Sequence, residues 1–341
     1  MNKISETKVI TYFIIKKIMN EFSKTFHWYF FENGKKQVRA TKFLEEMEKV
    51  IPWYKFLKRI DKHYDINETK LWRPKFESKL MLKIYLLQQW YNLWDPTVED
   101  AIYDRLSFQK FLWLDVGKKW SVPDETTIMN FRHMLEENKL QEKFFEIVKE
   151  EMEKNWYILN EWTSVDASLI KAPSSTKNKE GKRDPEMSST KKNGSYYFWM
   201  KIHIWADHKS WMVHTLHTTT AKVSDVSETK KLLQWNEKYV FWDKWYRSQD
   251  YKKECRRKGV YYWILDQKTK YHDLSTKQIK RNKQKTDVRK KIEFNFWIVK
   301  HLWWHSKVRY KWLEKNTKQF FALFALSNLY KFNQLKKKSL A

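Results

Sequence analysis

Cysteine is almost absent from this sequence, since Cys255 is the single one in 341 residues. No intramolecular disulfide can form, and no metal site built from several cysteines can be assembled. Long apolar runs are also missing near the start, where the stretch 9–15 is too short to span a bilayer and is followed by lysines rather than by a small-residue cleavage site. These absences predict a protein of the reducing cytoplasm without a signal peptide or membrane anchor.

Glycine is scarce as well, with 5 Gly beside 20 Trp. A globular chain of this length should carry about 24 glycines, at about 7%, and the two counts together match that content. Trp211 ends a turn-like segment, and Trp242 and Trp245 flank Asp243, so tryptophan stands where a chain favours glycine. Our hypothesis is that the gene uses UGA for glycine and has been translated with UGA as tryptophan. The alternative is a truly tryptophan-rich protein.

Acidic residues are outnumbered, because 41 Asp and Glu face 68 Lys and Arg, which leaves a formal charge of +27. Basic residues recur along the whole chain, so a polyanionic partner is the natural interpretation. Ribosomal proteins, nucleases and transposases would all satisfy it, and a generally cationic surface is the simplest alternative. The charge therefore favours a nucleic acid as the partner.

The first part of the chain divides into an arm and a helical region. Residues 1–40 show no clear period and predict a loosely attached N-terminal arm. From 41 to 160 the pattern is helical. A helix near 77–93 is indicated by a predicted buried face of Leu80, Ile84, Leu87 and Tyr91. A short helix is expected over 98–105.

A second helix start is marked by Asp124, a plausible N-cap in the segment 123–127. Its apolar stripe would be Ile128, Phe131 and Leu135. Several short helices with Arg132 and His133 on an exposed flank could form a helix-turn-helix reader of duplex DNA. A plain helical bundle fits the spacing equally well.

The sequence changes character at residue 162, where β-branched and aromatic residues become frequent. Strands are predicted over 163–170, 198–205, 212–220, 239–242 and 260–265, helices near 225–235 and 248–258, and a loop over 174–194. This order, ending in basic helical sequence, is that of an RNase H-like core, an α/β fold with a mixed sheet and flanking helices. We expect this catalytic domain at 161–335, with a basic tail at 336–341, preceded by the all-α domain at 41–160.

Two carboxylates occupy positions where a metal site could form. Asp166 lies in the middle of an otherwise uncharged predicted strand, where a charge is costly unless it is paired or metal-bound. Asp243 follows the apolar run 239–241, at a strand end where sheets present ligands. Phosphodiester transfer with two Mg²⁺ ions about 4 Å apart needs several such carboxylates at one point. An Asp at a strand end is nevertheless more often a helix cap or turn residue.

A third candidate, Glu293, is accompanied by basic residues. On an α-helix with about 100° per residue, Arg289, Glu293 and Lys300 share one narrow face. The opposite face could pack against the protein through Phe294, Ile298 and Leu302. The simpler interpretation is a solvated charge stripe, whose i,i+4 pairs are worth about 0.3 kcal/mol each.

Matching segments of a known family extend over residues from about 41 to 333. In the helical part they are FLEEM (43–47), LQQWYNL (87–93), PDETTI (123–128) and NFRH (130–133). In the remainder they are SVDA (164–167), APSSTKN (172–178), RDPEM (183–187), TKK (190–192), YFWMKIH (197–203), KVRY (307–310) and LFALSNL (323–329). On these segments the chain resembles insertion-sequence DD(E) transposases of the IS-five group. So extended a match is highly specific.

The resemblance implies a metal-binding triad of Asp166, Asp243 and Glu293. Two Mg²⁺ ions would be held there, and Mn²⁺ can substitute for them. Arg289 and Lys300 would be the basic residues around the glutamate. In the family a tyrosine stands three residues before that arginine, whereas this sequence has a threonine at 286.

The remaining implications concern DNA and the tryptophans. Lys201 and His203 would contact phosphates or the negative charge that develops during the reaction.

The resembling family has glycine where this sequence has Trp199, Trp205, Trp211, Trp242, Trp245 and Trp312, whereas Trp53 and Trp90 match family tryptophans. We therefore predict UGA codons at the first six positions and UGG at the other two.

The function expected from this resemblance is cleavage at transposon ends followed by strand transfer into target DNA. The partners would be double-stranded DNA, at the terminal repeats and at the target, and a second copy of the chain in a synaptic homodimer. Bacterial cytoplasm, at the nucleoid, would be the location. The rivals are an inactive transposase derivative that acts as a DNA-binding regulator, and a plain nuclease that hydrolyses without joining.

Overall fold

The computed structural model describes residues 38–64, 75–117, 121–158, 161–177, 179, 181–192, 194–225, 227–228, 237–242, 249–266, 268 and 273–340. Residues 46–341 form one unit, and of the preceding unit, 1–45, only residues from 38 onward are described. No helix in these ranges is both long enough and apolar enough to cross a membrane.

The helical part contains seven described α-helices. They are α1 (Arg39–Val50), α2 (Trp53–Ile60), α3 (Ser78–Tyr91), α4 (Asp95–Asp104), α5 (Leu106–Leu112), α6 (Glu125–Glu137) and α7 (Leu140–Lys154). The predicted N-cap of α6 is confirmed, because an Asp124 carboxylate oxygen accepts a hydrogen bond from the Thr127 amide at 2.7 Å. The predicted stripe of Ile128, Phe131 and Leu135 is buried.

Helix α3 is buried on every side from Met81 to Trp90, so the single buried face predicted for it is too narrow. Its polar side chains can lie inside because they find partners. Lys83 donates to the Phe111 carbonyl at 2.8 Å, and Gln88 donates to Asp95 at 2.7 Å. Helix α3 is therefore the central helix of this region.

Arg132 does not lie on an exposed flank as the sequence suggested. It is 8% exposed and donates to the Asp95 and Glu136 carboxylates at 2.7 and 2.9 Å. Two carboxylates compensate for the cost of burying the guanidinium. Arg132 therefore ties α6 to α4 and is not available to read a DNA groove, whereas His133 is partly exposed.

The rest of the chain contains a mixed six-stranded sheet. Its strands are β1 (Trp162–Lys171), β2 (Ser188–Lys192), β3 (Ser195–Asp207), β4 (Val213–Thr220), β5 (Tyr239–Trp242) and β6 (Tyr261–Ile264), and a helix α8 (Gln249–Arg257) connects the last two. Strand β1 is central, antiparallel to β3 and parallel to β5, which in turn is parallel to β6. The predicted RNase H-like mixed α/β fold is confirmed.

Two sequence predictions need correction or fall outside the described residues. The segment 174–194 was predicted to be a loop, but Ser188–Lys192 forms β2, which pairs with the first residues of β3. That strand is polar throughout, so no apolar alternation announces it. The helix predicted near 225–235 lies mostly outside the described residues.

Two long helices complete the fold. Helix α9 (Thr276–Trp297) continues into a π-helical segment, Ile298–Leu302, and α10 (Leu313–Leu340) follows. Helix α10 packs against α7 and β4. The Asn328 amide group exchanges two hydrogen bonds with the Val213 backbone at 2.9 and 2.7 Å, which fixes α10 to the start of β4.

Candidate active site

Asp166 lies in the middle of the central strand β1, and its side chain is only 9% exposed. One of its carboxylate oxygens accepts a hydrogen bond from the Ala167 amide at 2.9 Å. The strand pairs with β3 along its length, with Asp166 opposite Ile204, and with β5 from Trp162 to Ser164. This pairing fixes the backbone that carries the carboxylate. Asp166 lines a pocket of about 570 Å³ at the face of the sheet.

Glu293 reaches the same pocket from helix α9, although 126 residues separate it in the chain from Asp166. Its neighbour Ile292 is fully buried, which fixes α9 against the protein, while Glu293 itself is exposed. The pocket lining is Asp166, Ala167, Ser168, Glu293, Phe294, Phe296, Trp297, Lys300 and His301. The structure thus brings together two of the three predicted triad carboxylates and one predicted basic residue.

Lys300 is held against the strand that carries Asp166. Its Nζ donates to the Ser168 hydroxyl and to the Leu169 carbonyl, both at 2.7 Å. Ser168 lies two residues after Asp166 and therefore on the same face of β1. The positive charge of Lys300 is fixed at the edge of the pocket, where it can meet an anionic group.

The helical wheel drawn through residues 289–302 holds for Glu293 and Lys300, which line the same pocket, but not for Phe294. The α-helix ends at Trp297, and Lys300 lies in the π-helical segment. A π-helix has more residues per turn than an α-helix, so each residue there advances by less than 100°. Phe294, assigned to a packed face, is 44% exposed and lines the pocket, while Ile298 is fully buried as expected. Within α-helices, π-helical turns occur often at functional sites.

Asp243 and the side chain of Arg289 lie outside the described residues. Thr286, at the position where the resembling family has a tyrosine, is exposed on α9, and its hydroxyl donates to the Asn282 carbonyl at 2.7 Å. The last described residue before Asp243 is Trp242, which ends β5. Strand β5 runs parallel to β1 with Phe241 opposite Ser164. In the described part of the chain, no group of three His, Cys, Asp or Glu residues could hold a metal ion.

Lys201 and His203 are not brought to this pocket. On β3 they alternate with Ile202 and Ile204, which pair with Ser168 and Asp166, so their side chains lie on the opposite face of the sheet. Lys201 contacts an Asp225 oxygen at 2.7 Å. His203 is fully buried near the Thr219 hydroxyl at 3.0 Å, and burial lowers its pKa to about 3, so it is neutral at pH 7.

Ser168 is the site residue that the sequence prediction missed. It could have been found from the sequence, because residues two apart on a strand lie on the same face, and Ser168 is two residues after Asp166.

The sequence analysis also missed the role of the segment RDPEM (183–187). An Asp184 oxygen accepts from the Trp312 amide at 2.7 Å and a Glu186 oxygen from the Leu313 amide at 2.5 Å, so these carboxylates cap α10.

The arrangement offers hard oxygen ligands beside a fixed cation. Carboxylate oxygens are the ligands that Mg²⁺ prefers, and Lys300 can neutralise part of the charge of a phosphate. Ser168 and His301 also line the pocket, but the Ser168 hydroxyl accepts a hydrogen bond from Lys300. The two carboxylates beside a lysine suit phosphodiester chemistry.

Two family models match the chain. The family described as Transposase DDE domain matches residues 161–329, which contain the sheet and the pocket, and the family described as Transposase domain (DUF772) matches residues 32–134. The chain belongs to the DDE transposases. The helical region and the region that contains the sheet therefore both match transposase families. Membership of the IS-five group stays a prediction. No solved structure matches this transposase.

Proposed function

We propose that this transposase cuts the ends of its own mobile element and joins them to target DNA, with Asp166, Asp243 and Glu293 as the metal-binding carboxylates. The observation that supports the proposal is the shared pocket of Asp166 and Glu293, with Lys300 fixed beside them. Asp243 is included because it directly follows β5, the parallel neighbour of β1.

The residues of the pocket fit divalent metal ions. Asp166 and Glu293 both line it, and carboxylate oxygens are the ligands that Mg²⁺ prefers. Two Mg²⁺ ions, or Mn²⁺ in their place, would be held by the three carboxylates and would activate the attacking oxygen and stabilise the leaving one. Lys300, and in this proposal Arg289, would hold the phosphate next to them.

Helix α9 supplies a surface for the DNA backbone that leads to this pocket. Upstream of Glu293 it carries exposed basic side chains at Lys277, Lys280, Arg281, Lys283 and Lys291. Exposed cations on one helix can neutralise phosphates of a duplex and release their counterions on binding. We therefore assign to α9 the positioning of the DNA strand that Glu293 acts on.

The helical region and the oligomer belong to the same proposal. Residues 41–160 would bind the terminal repeats, and residues 161–335 would perform catalysis, with the arm 1–40 and the tail 336–341 adding basic contacts. Two element ends must be processed together for insertion, so we propose a homodimer in the synaptic complex. A protein with this charge would be found on the nucleoid.

The test is a gel assay that separates cleaved from joined DNA. Purified protein is incubated with Mg²⁺, an oligonucleotide carrying the element end, and a target plasmid. We expect cleaved and joined products, both lost on chelation, and a fall of about 100-fold or more in Glu293→Gln with DNA binding retained. Glu314→Gln, which changes an exposed carboxylate on α10, is the matched control and should keep full activity.

Each of the other outcomes would support one of the alternative functions or remove a residue from the proposed site. Specific DNA binding without any product would identify an inactive regulator. Cleavage without joining would identify a plain nuclease. Full activity of Glu293→Gln would remove the glutamate from the proposed triad.

A further inference from the structure

Five tryptophans have a left-handed backbone. They are Trp113, Trp156, Trp211, Trp304 and Trp312, with φ of 58°, 61°, 61°, 63° and 76°. Among the described residues, the other non-glycine positions with positive φ are Asn92 and Lys139. This conformation crowds the Cβ atom of an L-residue, so it favours glycine and, to a lesser degree, asparagine. Tryptophan is among the side chains least expected there.

Two of these tryptophans terminate helices in the manner of glycine. At the end of α5 the Trp113 amide donates to the Lys110 carbonyl and the Leu114 amide to the Gln109 carbonyl. At the end of α7 the Trp156 amide donates to the Glu153 carbonyl and the Tyr157 amide to the Met152 carbonyl. This pair of bonds defines the Schellman motif, whose left-handed residue is usually glycine.

The same chain provides matched examples of that motif. At the end of α8, Gly259, with φ of 73°, donates to the Arg256 carbonyl, and the Val260 amide donates to the Cys255 carbonyl. At the end of α3 the left-handed residue is Asn92. The same pair of hydrogen bonds thus carries Gly at one helix end and Trp at two others, and a left-handed Asn ends a further helix.

The indoles at these positions are mostly in solvent. Trp113, Trp156 and Trp304 are 72%, 81% and 72% exposed. In contrast, the Trp53 indole donates to the Glu48 carbonyl at 2.9 Å, and Trp90 is 3% exposed with its ring against Phe111. The rings of Trp53 and Trp90 are therefore used, whereas those of Trp113, Trp156 and Trp304 lie in solvent on a backbone that favours glycine. The Trp211 ring contacts His208 and lies beside the Lys291 ammonium group, so at that position the argument rests on the backbone alone.

Trp211 lies in the turn between β3 and β4, where the backbone reverses tightly. An Asp207 carboxylate oxygen accepts from the Lys209 and Ser210 amides, both at 2.9 Å, and the Asp207 amide donates to the Met212 carbonyl. Such a turn requires a left-handed residue before the second strand. Glycine meets this requirement without strain.

We propose that the functional protein carries glycine at positions 113, 156, 211, 304 and 312, because its gene uses UGA as a glycine codon. The composition and the family pattern suggested glycine at two of these positions. The backbone adds Trp113, Trp156 and Trp304 on independent grounds. The inference does not depend on the catalytic proposal.

The gene sequence and the native protein test the inference directly. We expect TGA at all five codons and TGG at the codons of Trp53 and Trp90. Peptides of the protein purified from the cells that carry the gene should have the mass of glycine at the five positions. TGG at the five codons, or tryptophan in those peptides, would overturn the proposal.

A stability measurement tests the same point without the native cells. A chain with glycine at all five positions should melt higher than the chain as printed, by at least about 2 °C, since strain is removed at each position. Trp53→Gly is the matched control and should melt lower, because it removes an indole that packs and donates. A five-glycine chain that melts no higher than the printed one, or that fails to fold, would overturn the proposal.

Discussion

At the scale of single residues, the site depends on how Lys300 is held. Its ammonium group donates to two acceptors on β1, the Ser168 hydroxyl and the Leu169 carbonyl. The carbonyl belongs to the backbone and cannot be removed by substitution, whereas the hydroxyl can. Ser168 is therefore the residue through which the position of the cation can be tested without changing any charge.

We expect Ser168→Ala to reduce strand joining about tenfold and to leave DNA binding unchanged. A tenfold loss corresponds to about 1.4 kcal/mol, the range of a hydrogen bond to a charged group. The measurement is the single-turnover joining rate at saturating DNA, with the exposed Ser306→Ala as control. An unchanged rate would mean that the carbonyl alone positions Lys300.

At the scale of elements, the order and type of strands and helices could be predicted because each long element has its own local pattern. Helix α6 begins where Asp124 can cap it, and β1, β3 and β4 follow from β-branched and aromatic residues. Strand β2 could not be predicted, because its sequence is polar and its pairing with β3 decides its conformation. The π-helical turn that contains Lys300 has no sequence signal either.

The remaining features could not be predicted because they depend on contacts between residues far apart in the sequence. Arg132 was expected on the surface, and its burial depends on Asp95, which lies 37 residues away and on another helix. Lys201 and His203 could be placed on β3 from sequence, but the side of the sheet facing the pocket followed only from the register with β1. Asp166, Glu293 and Lys300 were predicted as one site, and the pocket unites them.

At the scale of the whole molecule, three fully buried histidines link stability to pH. Burial lowers the pKa of His203, His214 and His305 to about 3 in each case. In the unfolded chain the histidine pKa is about 6.5, so between these values the unfolded state binds protons that the folded state does not. The free energy of unfolding is therefore highest above pH 6.5 and falls as the pH decreases toward 3.

The size of this effect can be measured on one histidine. His305 contacts the Gln89 carbonyl through Nε2 at 2.7 Å, and His305→Gln keeps a donor while removing the titration. We expect the pH slope of unfolding free energy between pH 6 and 4.5 to be smaller in this variant by up to about 1.4 kcal/mol per pH unit. An equal slope in the wild-type protein and in His305→Gln would contradict the assignment.

The central claim is that Asp166 binds the catalytic metal, and exchanging ligand and metal together tests it most directly. In Asp166→Cys the hard carboxylate becomes a soft thiolate, which binds Mn²⁺ better than Mg²⁺. We predict that strand joining is lost in Mg²⁺ and partly restored in Mn²⁺, while Asp166→Ala stays inactive in both. Joining by Asp166→Cys in Mg²⁺ at the wild-type rate, or equal inactivity of the Cys and Ala variants in Mn²⁺, would contradict the account.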